Sequence, residues 1–216
     1  MNKNTIIITI VSIIAVFGFL TAAYVLTSRP AQVKEFPELK QVKSQDHIKW
    51  SKAKKHILVE YSDLQCPACQ NFHTLIKAEL DKDKSITDKI TFVYRHFPLQ
   101  QHQYSRDAAY AAEAASNQGK YFEMADKMFT TQNQWSTSKT AKQYFETLAK
   151  ELKLDIVKFN KDRESQQVKD RVESDVTSGT QVEVQATPSF YLDGKKIDNI
   201  GSFADFKKLL QDAAKS

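Results

Sequence analysis

Cys66 and Cys69 are the only cysteines in the 216-residue chain, and they stand three positions apart in Cys66-Pro67-Ala68-Cys69. On one helical turn that spacing brings the two Cα atoms within about 5 Å, inside disulfide range. A ring closed over so short a loop adds little by chain entropy, so the pair makes better sense as a redox couple than as a staple. Cys66 at a helix start would have its thiolate favoured by unpaired N–H groups and the helix dipole. Cys69, one turn inside, is expected to be more buried. The chemistry this predicts is dithiol–disulfide exchange, with Cys66 as an exposed nucleophile and Cys69 as the resolving thiol. Two alternatives stay open: a zinc site from Cys66, Cys69 and His73, which is one ligand short, and inert buried thiols. A c-type haem site is excluded because Gln70, not His, follows Cys69.

The elements around the pair follow from apolar spacing. Ile57-Leu58-Val59-Glu60-Tyr61 reads as a buried strand, with a short loop leading to Cys66. Pro67 suits the first helical position, where its missing N–H has no partner to lose. Phe72, Leu75, Ile76 and Leu80 continue at helical spacing, and Ile90–Tyr94 reads as a second strand. Residues 102–178 carry helical periodicity throughout, with aromatic and Met stripes best read as core. Ser189–Leu192, the turn pair Asp193-Gly194 and Lys195–Ile197 read as a hairpin. Ser202 with Asp205 caps a last helix whose buried face is Phe203, Phe206, Leu209, Leu210 and Ala213. The predicted order is β-α-β, a helical block, then β-β-α.

The composition is 41% hydrophobic and 26% charged, that of a globular chain. Two cysteines exclude a multi-disulfide framework. The chain carries +5 and a pI near 9.0. By position, residues 1–30 carry +2, residues 31–55 carry +4 and residues 56–216 carry −1. The basicity therefore belongs to the N-terminal quarter, and no basic stripe with interleaved aromatics points to nucleic acid.

Ile6–Leu26 holds no charge. As a helix it spans roughly 31 Å, about one bilayer core. It is longer than a usual signal-peptide core, which favours an uncleaved membrane anchor; a cleaved signal segment stays open. Arg29, Lys34, Lys40 and Lys43 follow the span and only Lys3 precedes it, which by the positive-inside rule puts the body in the cytoplasm. The expected organisation is an anchor or signal segment at 1–27, a juxtamembrane linker at 28–55, and one domain at 56–216 with a helical insertion at about 102–180.

Glu60–Cys69, with Asp46-His47-Ile48-Lys49 upstream and Ala186–Gly194 downstream, resembles the DsbA-like thiol-disulfide oxidoreductases of the thioredoxin superfamily, closest to their membrane-anchored or secreted bacterial members. The resemblance covers about residues 46–214. It implies an α/β thioredoxin fold with an inserted helical domain. It also implies a cis Thr187-Pro188 bond facing Cys66, and a substrate surface made of Pro67, Ala68, Thr187 and Pro188. Glu60 matches the family's acidic strand position, which implies proton transfer to and from Cys69; a solvent-facing role stays open. His73, His96 and His102 are read as surface or satisfied residues without catalysis. Ala68 stands where the oxidising archetype has a thiolate-stabilising His, and Trp50 and Ala186 stand where Gly is common.

The resulting expectation is an extracytoplasmic oxidase that forms disulfides in reduced secreted proteins. Its redox group is the Cys66–Cys69 disulfide, with no other cofactor and no metal, and a quinone-linked membrane partner reoxidises it. A reductase or isomerase of the same fold, and a non-catalytic client- or metal-binding module, are the alternatives. Disulfide exchange fits an oxidising exterior, so the chemistry places the body outside, against the lysine count.

Overall fold

A computed structural model describes residues 2–27, 34–198 and 200–216. The chain divides into two compact units, Met1–Lys34 and Glu35–Ser216. In the first, α1 (Lys3–Thr27) contains Ile7–Tyr24, of mean hydropathy 2.3 and with none of that stretch buried. It is long and apolar enough to cross a membrane. Its polar residues need not disturb it, since the Thr21 hydroxyl donates to the Phe17 and Gly18 carbonyls at 2.9 Å each.

The second unit is built on five strands: β1 (His47–Trp50), β2 (His56–Ser62), β3 (Ile90–His96), β4 (Ser189–Leu192) and β5 (Lys195–Lys196), in the order β1-β3-β2-β4-β5. β2 and β3 run parallel at the centre, and the other pairings are antiparallel. Both central strands are covered on two faces, and alternation along β2 assigns its side chains. Ile57, Val59 and Tyr61 join Phe36, Leu39, Val93, Val182 and Tyr191 in one core; Leu58 joins the cysteines and the helical block in the other. Glu60 shares the face of Leu58.

Beyond β2 lie α2 (Pro67–Leu75), which runs into a π-helical turn at Ile76–Leu80, and α3 (Lys84–Thr87). The insertion between β3 and β4 comprises α4 (Ser105–Ser116), α5 (Tyr121–Thr130), α6 (Gln132–Trp135), α7 (Ala141–Glu151), α8 (Ile156–Glu164) and α9 (Gln166–Gln181). α10 (Phe203–Ala214) closes the domain, and the Ser202 side chain accepts from the Asp205 N–H at its start. In α9, Gly179 lies so close to Phe97 that a Cβ there would stand 2.5 Å from the ring.

Three expectations need correction. Residues 28–33 lie outside the described residues, but the rest of the segment read as a linker, from Glu35 on, is part of the folded unit. Phe36 and Leu39 are buried, and β1 pairs with β3 from His47↔Tyr94 to Trp50↔Thr91. Asp46 is buried with Arg95, whose Nε and Nη2 each donate to it at 2.9 Å. The six lysines there disguise a half-buried edge, because their ammonium ends can reach water while the backbone pairs. The sheet therefore begins one strand earlier than predicted. On α10, Phe206 and Leu210 carry the buried face, while Leu209 is 38% exposed; its position lies at the margin of the apolar stripe.

Trp50 has φ of 68°, in the left-handed region that favours glycine. Its ring holds it there: Nε1 donates to Asp81 Oδ1 at 2.7 Å, and the indole packs on Phe92 at 5.0 Å. Asp193 and Gly194 both have positive φ, as a two-residue hairpin turn requires.

Candidate active site

Cys66 is the N-cap of α2, in extended conformation, and Pro67 is the first helical residue. Both thiols are free, with Cys69 fully buried. Cys66 is not the exposed nucleophile expected: it is only 6% exposed. The Thr187 loop folds over it, and Cys66 Sγ donates to the Thr187 carbonyl at 3.4 Å. The Thr187-Pro188 bond is cis. Pro67 and Ala68 are exposed beside the sulfur, and Pro188 is half-buried. A groove of about 270 Å³ next to Pro188 is lined by Phe72, Phe190, Lys196, Ile197 and Ile200.

The two thiols are driven apart. A hydrogen bond from Cys69 lowers the Cys66 thiol to about 5 despite burial, helped by the Cys69 and Ala68 backbone N–H groups at the helix start. Burial raises Cys69, and the neighbouring Cys66 and Glu60 raise it further. The Asp63 N–H points at Cys69 Sγ across 3.5 Å. One thiol is thus prepared as a thiolate and the other as a proton holder.

Glu60 is 4% exposed, which removes the solvent-facing alternative. Among the described residues no cation pairs with it. Burial raises its carboxyl to about 7, and the Ser62 hydroxyl and Lys49 oppose the shift only in part. A carboxyl poised near neutrality beside a buried thiol can give or take a proton there.

Sequence reasoning missed the residues that hold the loop. Gln132, buried on α6, donates from Nε2 to the Leu64 carbonyl at 2.8 Å and the Cys66 carbonyl at 3.1 Å. Gln65 donates to the Ser136 carbonyl at 2.7 Å and accepts from the Tyr104 N–H at 2.6 Å. Gln70 donates to the Phe129 carbonyl at 2.7 Å. Buried Asp63 accepts from the Gln65 and Leu99 N–H groups and pairs with His102 at 2.7 Å. The helical insertion therefore clamps the segment 63–70 by side-chain amides. The available signal was Asp63 and two Gln crowded around the cysteines.

The histidines are paired away from the sulfurs. His73 lies 3.0 Å from Asp126, so the structure does not turn it to Cys66 and Cys69 as a zinc site would need. His96 is buried, with its Nε2 3.1 Å from both Glu113 Oε1 and the Tyr121 hydroxyl.

Comparison with known proteins agrees with this architecture. Residues 43–212 match the thioredoxin family. A thioredoxin-like oxidoreductase from Silicibacter pomeroyi superposes with a TM-score of 0.69 at 21% identity, covering 85% of this chain and 99% of that one. BdbD from Bacillus subtilis gives 0.69 at 22% identity, covering 80% and 94%. Wolbachia pipientis alpha-DsbA1 gives 0.67 at 20% identity, covering 82% and 96%. Among curated sequences, the Na(+)/H(+) antiporter NhaA 1 of Mycobacterium sp. (strain KMS) is 34% identical over 157 residues, which is 70% of this chain but 24% of that protein. NhaA of Herminiimonas arsenicoxydans is 33% identical over 152 residues, 70% and 23%. The chain spans about a quarter of the length of these curated relatives. Fold and site together define a thioredoxin fold with an inserted helical block and a Cys-Pro-Ala-Cys pair at the start of α2. The chain belongs to the thioredoxin family.

Proposed function

We propose that this chain is a membrane-anchored thiol-disulfide oxidase whose domain faces outward and forms disulfides in secreted proteins. In its oxidised form a substrate thiolate attacks Cys66 Sγ. The Cys66–Cys69 bond breaks, a mixed disulfide forms at Cys66, and Cys69 leaves as a thiolate that takes a proton from Glu60. A second substrate thiolate then attacks the substrate sulfur of the mixed disulfide. The substrate disulfide forms, and Cys66 departs as a thiolate. Two electrons have passed to the protein, and a membrane-bound, quinone-linked thiol oxidase removes them. Extended substrate chain would lie along Thr187 and Pro188, with apolar side chains in the groove at Phe72 and Phe190.

The lowered Cys66 thiol carries the oxidase direction. An acid depressed from 9.0 to about 5 stabilises the reduced protein as pH rises through 5, and loses that contribution as pH falls back through it. At pH 7 the gain is roughly 3 kcal/mol, which makes the couple more oxidising by roughly 60 mV. Ala68 supplies none of this; Cys69 and the helix-start N–H groups stand in for the histidine of the oxidising archetype.

The test is equilibration of the full chain with glutathione redox buffers, reading the Cys66–Cys69 state, beside an oxidation assay on a reduced two-cysteine peptide. Oxidation by the native chain and its loss in Cys66→Ser support the proposal. A strongly reducing couple would assign a reductase instead. Protease protection of the domain in intact cells would place it in the cytoplasm, as the lysine count does.

A further inference from the structure

We propose that His47, His96 and Glu113 form a binding site for a nitrogen-preferring, tetrahedral divalent cation of the Zn²⁺ class, with its fourth position open to solvent. Three rigid elements bring these residues together: His47 starts β1, His96 ends β3, and Glu113 lies in the buried alanine-rich face of α4. Their ligand atoms all lie within 4.8 Å of one another. Both imidazoles direct Nε2 at the same carboxylate oxygen, Glu113 Oε1, at 2.7 Å from His47 and 3.1 Å from His96. Neighbouring ligands on a tetrahedral zinc ion stand about 3.3 Å apart, so small side-chain rotations open the cluster to that spacing.

The surroundings suit an ion. An open cavity of about 770 Å³ is lined by His47, Glu113, Ser116, Asn117, Asp46 and Arg171, among others, and supplies room for a water as fourth ligand. The His47 ring stacks on Tyr121 with centroids 3.3 Å apart and planes 7° from parallel, which fixes its orientation.

Arg171 is the opposing charge. Its Nε stands 4.0 Å from Glu113 Oε1, while its Nη1 is engaged by Asp175 Oδ1 at 2.6 Å. Glu113 and Asp175 both face Arg171, Asp46 pairs with Arg95, and Lys43 adds a third cation near Asp46 and Asp175. Two nitrogens and one oxygen are a poor cage for Ca²⁺, which takes six to eight oxygens, and a suitable one for zinc. Without an ion, the same groups satisfy one another by hydrogen bonding.

The cysteines also bind zinc, so the test uses the full chain carrying Cys66→Ser and Cys69→Ser. This also separates the site from the redox reading. Titration with ZnCl₂ is expected to show one ion bound per chain. His47→Gln and Glu113→Gln should each weaken binding tenfold or more, and Arg171→Gln should tighten it. CoCl₂ needs no further mutation: intense visible bands of a four-coordinate ion support the site. Absence of Zn²⁺ uptake by the folded protein, unchanged affinity in a folded His47→Gln, weak six-coordinate Co²⁺ bands, or preference for CaCl₂ would each overturn it.

Discussion

Glu60 and Arg95 are buried on opposite faces of the same two central strands, one with no partner charge among the described residues and one with a complete set. Glu60 faces the cysteines, and burial raises its carboxyl to about 7. Arg95, one register step further along, gives two hydrogen bonds to Asp46 and reaches the Tyr61 hydroxyl at 3.1 Å and the Ser178 hydroxyl at 3.2 Å. The paired group keeps its charge and ties the segment before β1 to the sheet. The unpaired group keeps a proton beside Cys69, where the proposed exchange needs one gained and lost. Burial disfavours the charged form on both faces; the presence of a counter-charge decides whether the charge is kept.

The comparison breaks most visibly at the paired site. Arg95→Met leaves Asp46 buried without a cation and should cost about 3–5 kcal/mol, read as a drop in urea midpoint; adding Asp46→Leu should recover most of it. At the unpaired site the sign reverses. The native protein retains a proton on Glu60 that the unfolded chain gives up between pH 4.5 and about 7, so native stability falls across that window. Glu60→Gln should therefore be more stable than the native chain by roughly 3 kcal/mol at pH 8 and equal to it at pH 4. Its peptide-oxidation rate should fall about 100-fold. A stability gain without a rate loss would leave Glu60 a buried passenger.

Smaller effects sharpen what prepares Cys66. Gln132→Leu removes the donor to the Leu64 and Cys66 carbonyls. It should cost about 1–3 kcal/mol and move the Cys66 thiolate titration, followed by ultraviolet absorbance, to higher pH. Ala68→His places an imidazole at an exposed position next to the thiolate. Its effect should stay below about 1 kcal/mol, or about 20 mV in the glutathione titration. A much larger shift would mean that the Cys69 and backbone hydrogen bonds contribute little.

Much of the site is legible in the residues because it is local. A cysteine pair spaced by one turn, a proline at the first helical position and a strand just before them place both thiols at a helix start without any distant contact. Alternation through Ile57–Tyr61 likewise places Glu60 on one face of β2. What the chain could not disclose locally was partnership. The lysines between Lys34 and Lys55 made a folded edge look like a linker, since charge at side-chain tips says nothing of a backbone that pairs with β3. Gln132 stands 66 residues from Cys66, and Arg95 stands 49 from Asp46.

The sequence by itself therefore determined the cysteine pair, the helix start it sits on and the membrane-length apolar helix ahead of it, because each depends on neighbours within a few positions. Only the tertiary structure decided that Cys66 is sheltered under Thr187, that Glu60 has no partner charge while Arg95 has one, and that His47, His96 and Glu113 meet. Those outcomes depend on which groups distant in the chain share one buried volume, and in a medium of low polarity that sharing determines which charges persist.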